Sequence, residues 1–352
     1  MPRPTLRTLA RSLGLSRTTI SDALRGSPRV NKKTIERVRA AAEAAGYERN
    51  PLTGEVMSQL RRSNGQMFRG VLAALEIVDD PRAPHVVRYN NEVLVGVRER
   101  AQKLGFNVEH FDVTRDDLRL PRIDSILHAR GIRGVVVLPC SGFPDLSSLT
   151  WSRLTAVYAD YFIDRPALHC VCPDHYRSMI SMMQTLHARG YRRPGLVIDM
   201  ILEERLQYRW EGAFLTIQSI LADLVRLPPL RFEQLTRDQF VKWFKKYEPD
   251  VVLSHLSELI SWMTSCGAAI PETHGFVCLN SLRTSIPCAG LDHQPREIGA
   301  RAAELVVGHV IHNEFGPPSQ PSLTSIPTRW IEGPTVRPAA APVEAELVMA
   351  RG

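Results

Sequence analysis

Between Leu15 and Gly26 the chain sets Arg17, Thr18, Ser21, Asp22 and Arg25 at steps of one and three to four residues. In an α-helix that spacing gathers them on one face, while Ile20, Ala23 and Leu24 fall on the other. All five polar side chains can hydrogen-bond, and such a group can read the edges of base pairs. Arg17 can offer two donors to one guanine edge. Thr18 can bond a base or touch a thymine methyl. Asp22 can accept from the amino group of cytosine, or it can hold a neighbouring arginine in place. Ser21 shares that outward face.

This chemistry needs a helix anchored by its apolar side. Residues 5–46 supply the anchor as three short helices. The first carries Leu6, Leu9, Ala10 and Leu13 as a stripe, with Thr5 as its cap and Gly14 at its end. Ser16 caps the second, and Gly26 and Pro28 break the chain after it. Asn31 caps the third, whose inward residues are Ile35, Val38, Ala42 and Ala45. Helix, glycine turn, helix is the arrangement that lays the second helix in a major groove while the first crosses the backbone. Thr5, Ser16, Thr19, Asn31 and Thr34 stand at helix starts, where they can serve as caps and also meet phosphate oxygens. Leu6 and Arg25 complete the set expected at phosphates.

Charge agrees. Residues 1–62 hold 13 Lys and Arg against 5 Asp and Glu, a net of +8, although the whole chain carries only +7. All the excess positive charge therefore sits in the first sixth of the chain, the footprint of a polyanionic partner.

At 352 residues the chain is too long for one ordinary core. It has no apolar run that could span a membrane, and no secretory leader is expected. The six cysteines form no C-x-x-C pair, which favours reduced thiols in the cytoplasm over a disulfide framework or a metal site. No G-x-G-x-x-G after a strand, P-loop or G-x-S-x-G elbow is present, so neither an enzyme nor a cofactor is expected.

The N-terminal stretch "TLRTLARSLGLSRTTISDALRGSPRVNKKTIERVRAAAEAAGYERNP" resembles the DNA-binding domain of the lactose/galactose repressor (LacI/GalR) family. The resemblance rests on Thr5-Leu6, Ala10, Gly14-Leu15-Ser16, Thr19-Ile20-Ser21, Val30-Asn31, Thr34, Val38, Gly46-Tyr47 and Asn50-Pro51. It implies that Arg17, Thr18 and Asp22 read bases and that Arg29 lies near DNA. It also implies that a linker after Asn50-Pro51 folds into a hinge helix on the operator and wedges a side chain into the minor groove. Here "LTGEVMSQLRR" is about four residues longer than the usual linker. Val56 or Met57 falls at the wedge position, whereas Leu60 before Arg61-Arg62 has the expected local context and is preferred.

From Phe68 short β-rich runs alternate with helical ones, as in doubly wound parallel sheets. The landmarks "RGIRGVVVLP", "LHARGYRRPGLV", "YRWEGAF", "PDVVLSH" and "AGLDHQPREIGARAAELV" resemble the same family's effector domain. That implies a two-lobed, periplasmic-binding-protein-like α/β fold with a small molecule between the lobes. The expected division is 1–48 helix-turn-helix domain, 49–66 hinge, 67–338 effector domain and 339–352 flexible tail. Lobe 1 is expected near 67–160 and 292–322, and lobe 2 near 161–291 and 323–338. Ligands in such sheets bind at the carboxyl ends of strands, which selects Asp160, Arg209, His255, Asn280 and Asp292 as effector contacts. Arg209 matches a family position that commonly binds effector. Asn280 stands where the family usually has an aspartate on ligand hydroxyls, which weakens the case for a sugar and fits another ligand, such as an acid. Trp210 and Phe214 read as core.

Together these features predict a homodimeric, cytoplasmic transcriptional repressor that binds an operator in double-stranded DNA and answers to a small-molecule effector. Two alternatives remain: a regulator whose cleft has lost ligand control, and an α/β solute-binding or enzymatic protein with a basic head.

Overall fold

The computed structural model describes residues 10, 12–24, 30–44, 69–78, 82–114, 120–140, 142 and 144–339. The chain divides into two compact units, Met1–Met67 and Phe68–Gly352.

In the first unit a helical stretch ends at Leu13, and Gly14 turns the chain with φ at +63°, where a side chain would be strained. The turn is closed by the Leu15 amide donating to the carbonyl of Ala10, 3.1 Å away. Two helices follow, α1 (Arg17–Leu24) and α2 (Lys32–Ala44). The Ser16 hydroxyl accepts from the Thr19 amide at 3.0 Å and the Asn31 side chain from the Lys33 amide at 3.0 Å. Ala10, Ile20, Ala23, Val38 and Ala42 form the core, with Leu13, Leu15, Leu24 and Ile35 packed around it. Arg37 of α2 ties itself to the turn through the Leu13 carbonyl, at 2.9 Å.

The second unit alternates strands and helices. Its first part runs β1 (Gly70–Val78), α3 (Pro84–Lys103), β2 (Phe106–Thr114), α4 (Leu120–Ala129), β3 (Gly134–Val137), β4 (Thr155–Tyr158) and β5 (His169–Pro173). Next come α5 (His175–Ala188), β6 (Pro194–Asp199), α6 (Met200–Arg205), α7 (Arg209–Ile220), β7 (Leu230–Phe232), α8 (Arg237–Tyr247) and β8 (Val251–Ser254). The chain continues through α9 (Leu259–Ser265), β9 (Gly275–Cys278), β10 (Ala289–Asp292), α10 (Pro295–His312), β11 (Leu323–Ile326) and β12 (Arg329–Ile331).

The strands form two six-stranded sheets, ordered β11-β5-β4-β3-β1-β2 and β12-β10-β9-β8-β6-β7. The first is parallel throughout; in the second only β12 runs antiparallel, against β10. Every residue of "GVVV", "TAVY", "VVLS" and "GFVC" is buried. Strands covered by helices on both faces need apolar residues at every position rather than at alternate ones. Along β1, Leu72 and Ala74 face the core beneath α3 and α10, while Ala73, Leu75 and Ile77 face the core on the other side.

The chain passes between the sheets three times, at Pro173–His175, Asp292–Pro295 and Ile326–Arg329. Lobe 1 therefore takes in His169–Pro173 and Leu323–Ile326, whereas the sequence reading ended it near residues 160 and 322. Strands β5, β7, β10, β11 and β12 are only three to five residues long. Such short strands carry too little pattern to stand out from loops. Returning to lobe 1, α10 packs directly on α3. A Cβ at Gly299 would fall on the carbonyl oxygen of Val93, and one at Gly96 on that of Arg296. Both positions therefore admit only glycine, and the contact fixes the wall from which α3 faces the cleft.

Candidate functional site

The carboxyl ends of the strands from both sheets meet around a cavity of about 250 Å³. Lobe 1 contributes Pro139 and Cys140 after β3, Asp160 after β4 and Pro173 at the end of β5. Lobe 2 contributes Asp199 at the end of β6, His255 after β8, Asn280 after β9 and His293 after β10. The first turns of α3 add His85, Tyr89 and Asn90, and α6 and α7 add Leu202, Arg205 and Trp210. Arg283 comes from the short 3-10 turn Ser281–Arg283.

One ion pair closes the two lobes over this space. Arg205 donates to the Asp160 carboxylate and, at 3.2 Å, to the carbonyl of Cys140, both in lobe 1. The Arg205 and Asp160 side chains are only 21% and 10% exposed, so little solvent screens them. Arg88 of α3 crosses in the other direction to the Leu282 carbonyl at 2.7 Å. On the lobe 1 wall, Asn90 is fixed by donating to Glu76 and to the Pro139 carbonyl, each at 2.9 Å. Burial would raise the Glu76 carboxyl, but hydrogen bonds from His110 and Asn90 outweigh it and hold the group below its ordinary value.

The lobe 2 side is a cluster of buried rings. The His175 ring meets Trp210 edge-on at 5.0 Å and His293 at 5.5 Å, and Trp210 stands 6.1 Å from His255. His293 donates through Nε2 to the Leu279 carbonyl, 2.7 Å away, so that nitrogen carries the proton. Both nitrogens of His255, Nδ1 of His175, Nε1 of Trp210 and Oδ1 of Asn90 are buried without a hydrogen-bond partner in the protein. Unpartnered polar atoms are costly in a core and need a reason.

Burial pushes His175 and His255 well below the ordinary imidazole range, with the charges of neighbouring cations adding to the shift. It pushes His293 down to about 4, against the pull of the Leu279 carbonyl. All three are neutral at pH 7 in the folded protein. Below the unfolded value near 6.5 the unfolded chain takes up protons that the native state refuses. Their contribution is thus present above pH 6.5 and lost as pH falls toward 4. His293 alone accounts for about 3 kcal/mol over that interval. A melting temperature that falls steeply from pH 6.5 to 4.5, with the fall reduced in His293→Gln, is the expected result.

In the first unit, Arg17, Thr18, Ser21 and Asp22 are residues of α1, in which Ile20 and Ala23 are buried. Asp22 is half-buried and has an interaction partner in the protein. Residues 5–50 match the family model of the bacterial regulatory proteins of the lacI family.

Residues 5–50 are thus similar to the DNA-binding segment of that family.

The maltose regulon regulatory protein MalI of Vibrio furnissii is 32% identical over 102 residues, 29% of this chain and 64% of MalI. The HTH-type transcriptional regulator GntR of Pseudomonas aeruginosa is 30% identical over 216 residues, 60% of this chain and 57% of GntR. The chain thus spans less than two thirds of the length of either relative. A crystal structure of the lac repressor dimer bound to operator and the anti-inducer ONPF matches 95% of this chain and 99% of that one, with a TM-score of 0.52 at 14% identity. At that identity the likeness is one of fold.

Three of the five effector candidates, Asp160, His255 and Asn280, line the cleft. Arg209 and Asp292 are not among its lining residues. The Arg209 guanidinium lies 4.4 Å over the Tyr161 ring, and the Asp292 carboxylate accepts from the Gln294 amide at 2.8 Å. The sequence reading missed Arg205, Arg283, His175 and His293. Recognising β5 and β10 would have exposed both histidines by the strand-end rule; no local signal marks the arginines. Trp210 is fully buried as expected, yet its indole edge also lines the cleft. Among the DNA candidates, Ser16, Thr19, Asn31 and Thr34 are described, the first and third acting as caps. Thr5, Leu6, Arg25, Arg29 and the hinge residues Val56, Met57 and Leu60 lie outside the described residues, as do 340–352 of the expected tail. Among the described residues no helix is long and apolar enough to cross a membrane.

Proposed function

We propose that the protein is a cytoplasmic, DNA-binding transcriptional repressor, not an enzyme, controlled by a small molecule held between its two lobes. The match of residues 5–50 to the lacI family, over a helix-turn-helix whose second helix buries Ile20 and Ala23, carries this reading. Two copies pair, and each sets α1 into one half of a near-palindromic operator. Arg17, Thr18, Ser21, Asp22 and Arg29 meet bases. Thr5, Leu6, Ser16, Thr19, Arg25, Asn31 and Thr34 lie at phosphates. The hinge, through Val56, Met57 or Leu60, opens the minor groove. The effector contacts are Asp160, His255 and Asn280 in the cleft, with Arg209 and Asp292 beside it. Effector shifts operator affinity only by binding one lobe arrangement better than the other.

Selection of bound DNA from a random pool tests this directly. A single half-site repeated about a dyad is the expected product, and recovery of no preferred sequence would refute it. Affinity for that site should fall linearly with the logarithm of salt concentration. Arg17→Ala should weaken binding by about 1–3 kcal/mol and relax discrimination at one base pair per half-site.

A further inference from the structure

The cleft's unmet hydrogen-bonding groups are not evenly spread. Asp160 and Arg205 neutralise each other across the lobes, and the Asp199 carboxylate caps α6 by accepting from the Ile201 amide at 2.9 Å. Arg283 is different. Its guanidinium is half-buried and makes no hydrogen bond or ion pair to any described residue. Beside it, at the end of the neighbouring strand, His255 is 6% exposed with both ring nitrogens unpartnered. From lobe 1, His85 stands in the first turn of α3, a helix of 20 residues whose N-cap, Ala83, offers no side-chain acceptor. The charged side chains nearest His85 and His255 include the Arg283 guanidinium, foremost for both, and Arg88 for His85. Three elements from both lobes thus bring hydrogen-bonding groups to one cavity, where the Asp199 and Glu258 carboxylates act on the Arg283 cation without bonding it.

We propose that this end of the cleft binds the carboxylate or phosphate group of a small organic anion, held by Arg283 and His255 from lobe 2 and by His85 and the start of α3 from lobe 1. The anion supplies the acceptor that the guanidinium and the imidazole lack inside the protein, and charge-assisted bonds of this kind are the strong ones. Because it engages both lobes, it binds the closed arrangement in preference to an open one. The rest of the molecule lies toward Trp210 and Asn90, whose unpartnered Nε1 and Oδ1 call for one ligand acceptor and one ligand donor, such as a hydroxyl group. The volume is below the roughly 300–1,000 Å³ of drug-sized sites, which limits the ligand to about the size of a monosaccharide. This assignment rests on reading the cleft as the effector site and adds the chemical class of the effector.

The test is direct binding to the full-length protein without DNA, by thermal shift and calorimetry, using probes that differ in charge. Glucose, glucuronate, glucose 6-phosphate and inorganic phosphate make such a set, and the two organic anions separate a carboxylate from a phosphate ligand. At least one of the anions is expected to raise the melting temperature where glucose does not. Arg283→Met and His255→Asn should each weaken that anion roughly tenfold or more, the loss of a bond to a charged group. Arg283→Met breaks no hydrogen bond or ion pair to a described residue and should leave the melting temperature of the protein alone unchanged; His255→Asn loses ring packing against Trp210, so its anion affinity is compared by calorimetry at a temperature where it is folded. Stabilisation by glucose only, stabilisation by none of the four, or an anion response that survives both substitutions would overturn the proposal. A protein that binds a defined operator but none of the anions would overturn this assignment alone. One that binds an anion but no preferred DNA would overturn the regulator reading instead.

Discussion

Gly299→Val is expected to destabilise the second unit by about 4 kcal/mol, at the severe end of single substitutions. The reason is the backbone contact between α10 and α3. A side chain at 299 meets the Val93 carbonyl, with Val93 C and the Val97 amide close behind. Backbone atoms cannot swing away as a rotamer can, so the two helices must part. Their separation disturbs the core of Val93, Val97, Ile298, Ala302 and Ala303 and the ion pairs Arg296–Glu92 and Arg100–Glu304. It also shifts the first turns of α3, and with them His85, Tyr89 and Asn90 in the cleft. Gly308 on the same helix is the matched control. A Cβ there meets nothing within 4 Å, so Gly308→Ala should stabilise by about 0.5–1 kcal/mol through helix propensity alone. Chemical denaturation of the two variants checks both signs, and equal effects would show that the helices do not touch.

Arg205→Ala is expected to cost about 3 kcal/mol and to open the lobes. Removing one partner of a shielded ion pair leaves the other charge without compensation. Here the Asp160 carboxylate would keep only the Tyr161 amide, at 2.8 Å. Asp160→Asn should cost less, because Arg205 retains the Cys140 carbonyl. The double replacement Asp160→Leu with Arg205→Met should recover much of the loss, since neither charge is then stranded. Denaturation measures the energies, and small-angle scattering reports the lobe separation. A scattering profile unchanged in Arg205→Ala would show that the pair does not hold the lobes together.

The sequence alone determined the head and the class of the body. Local rules suffice for α1 and α2: caps at Ser16 and Asn31, a glycine at 14, and apolar residues at helical spacing all act within a few residues of one another. The parallel sheets were legible for a similar reason, because strands buried on both faces must be apolar throughout, as in "GVVV" and "VVLS". The strand-end rule then brought Asp160, His255 and Asn280 to the cleft. Tertiary structure alone decided the rest. β5, β10 and β11 are recognisable only by the neighbours they pair with, so the crossings between lobes could not be placed from the sequence. Gly299 reads as a poor helix former until α3 is seen against it. No local pattern in the sequence marks Arg205 or Arg283. Arg205 bonds a carboxylate 45 positions away, and Arg283 bonds none among the described residues. That difference belongs to distances between lobes, which one-dimensional spacing does not encode.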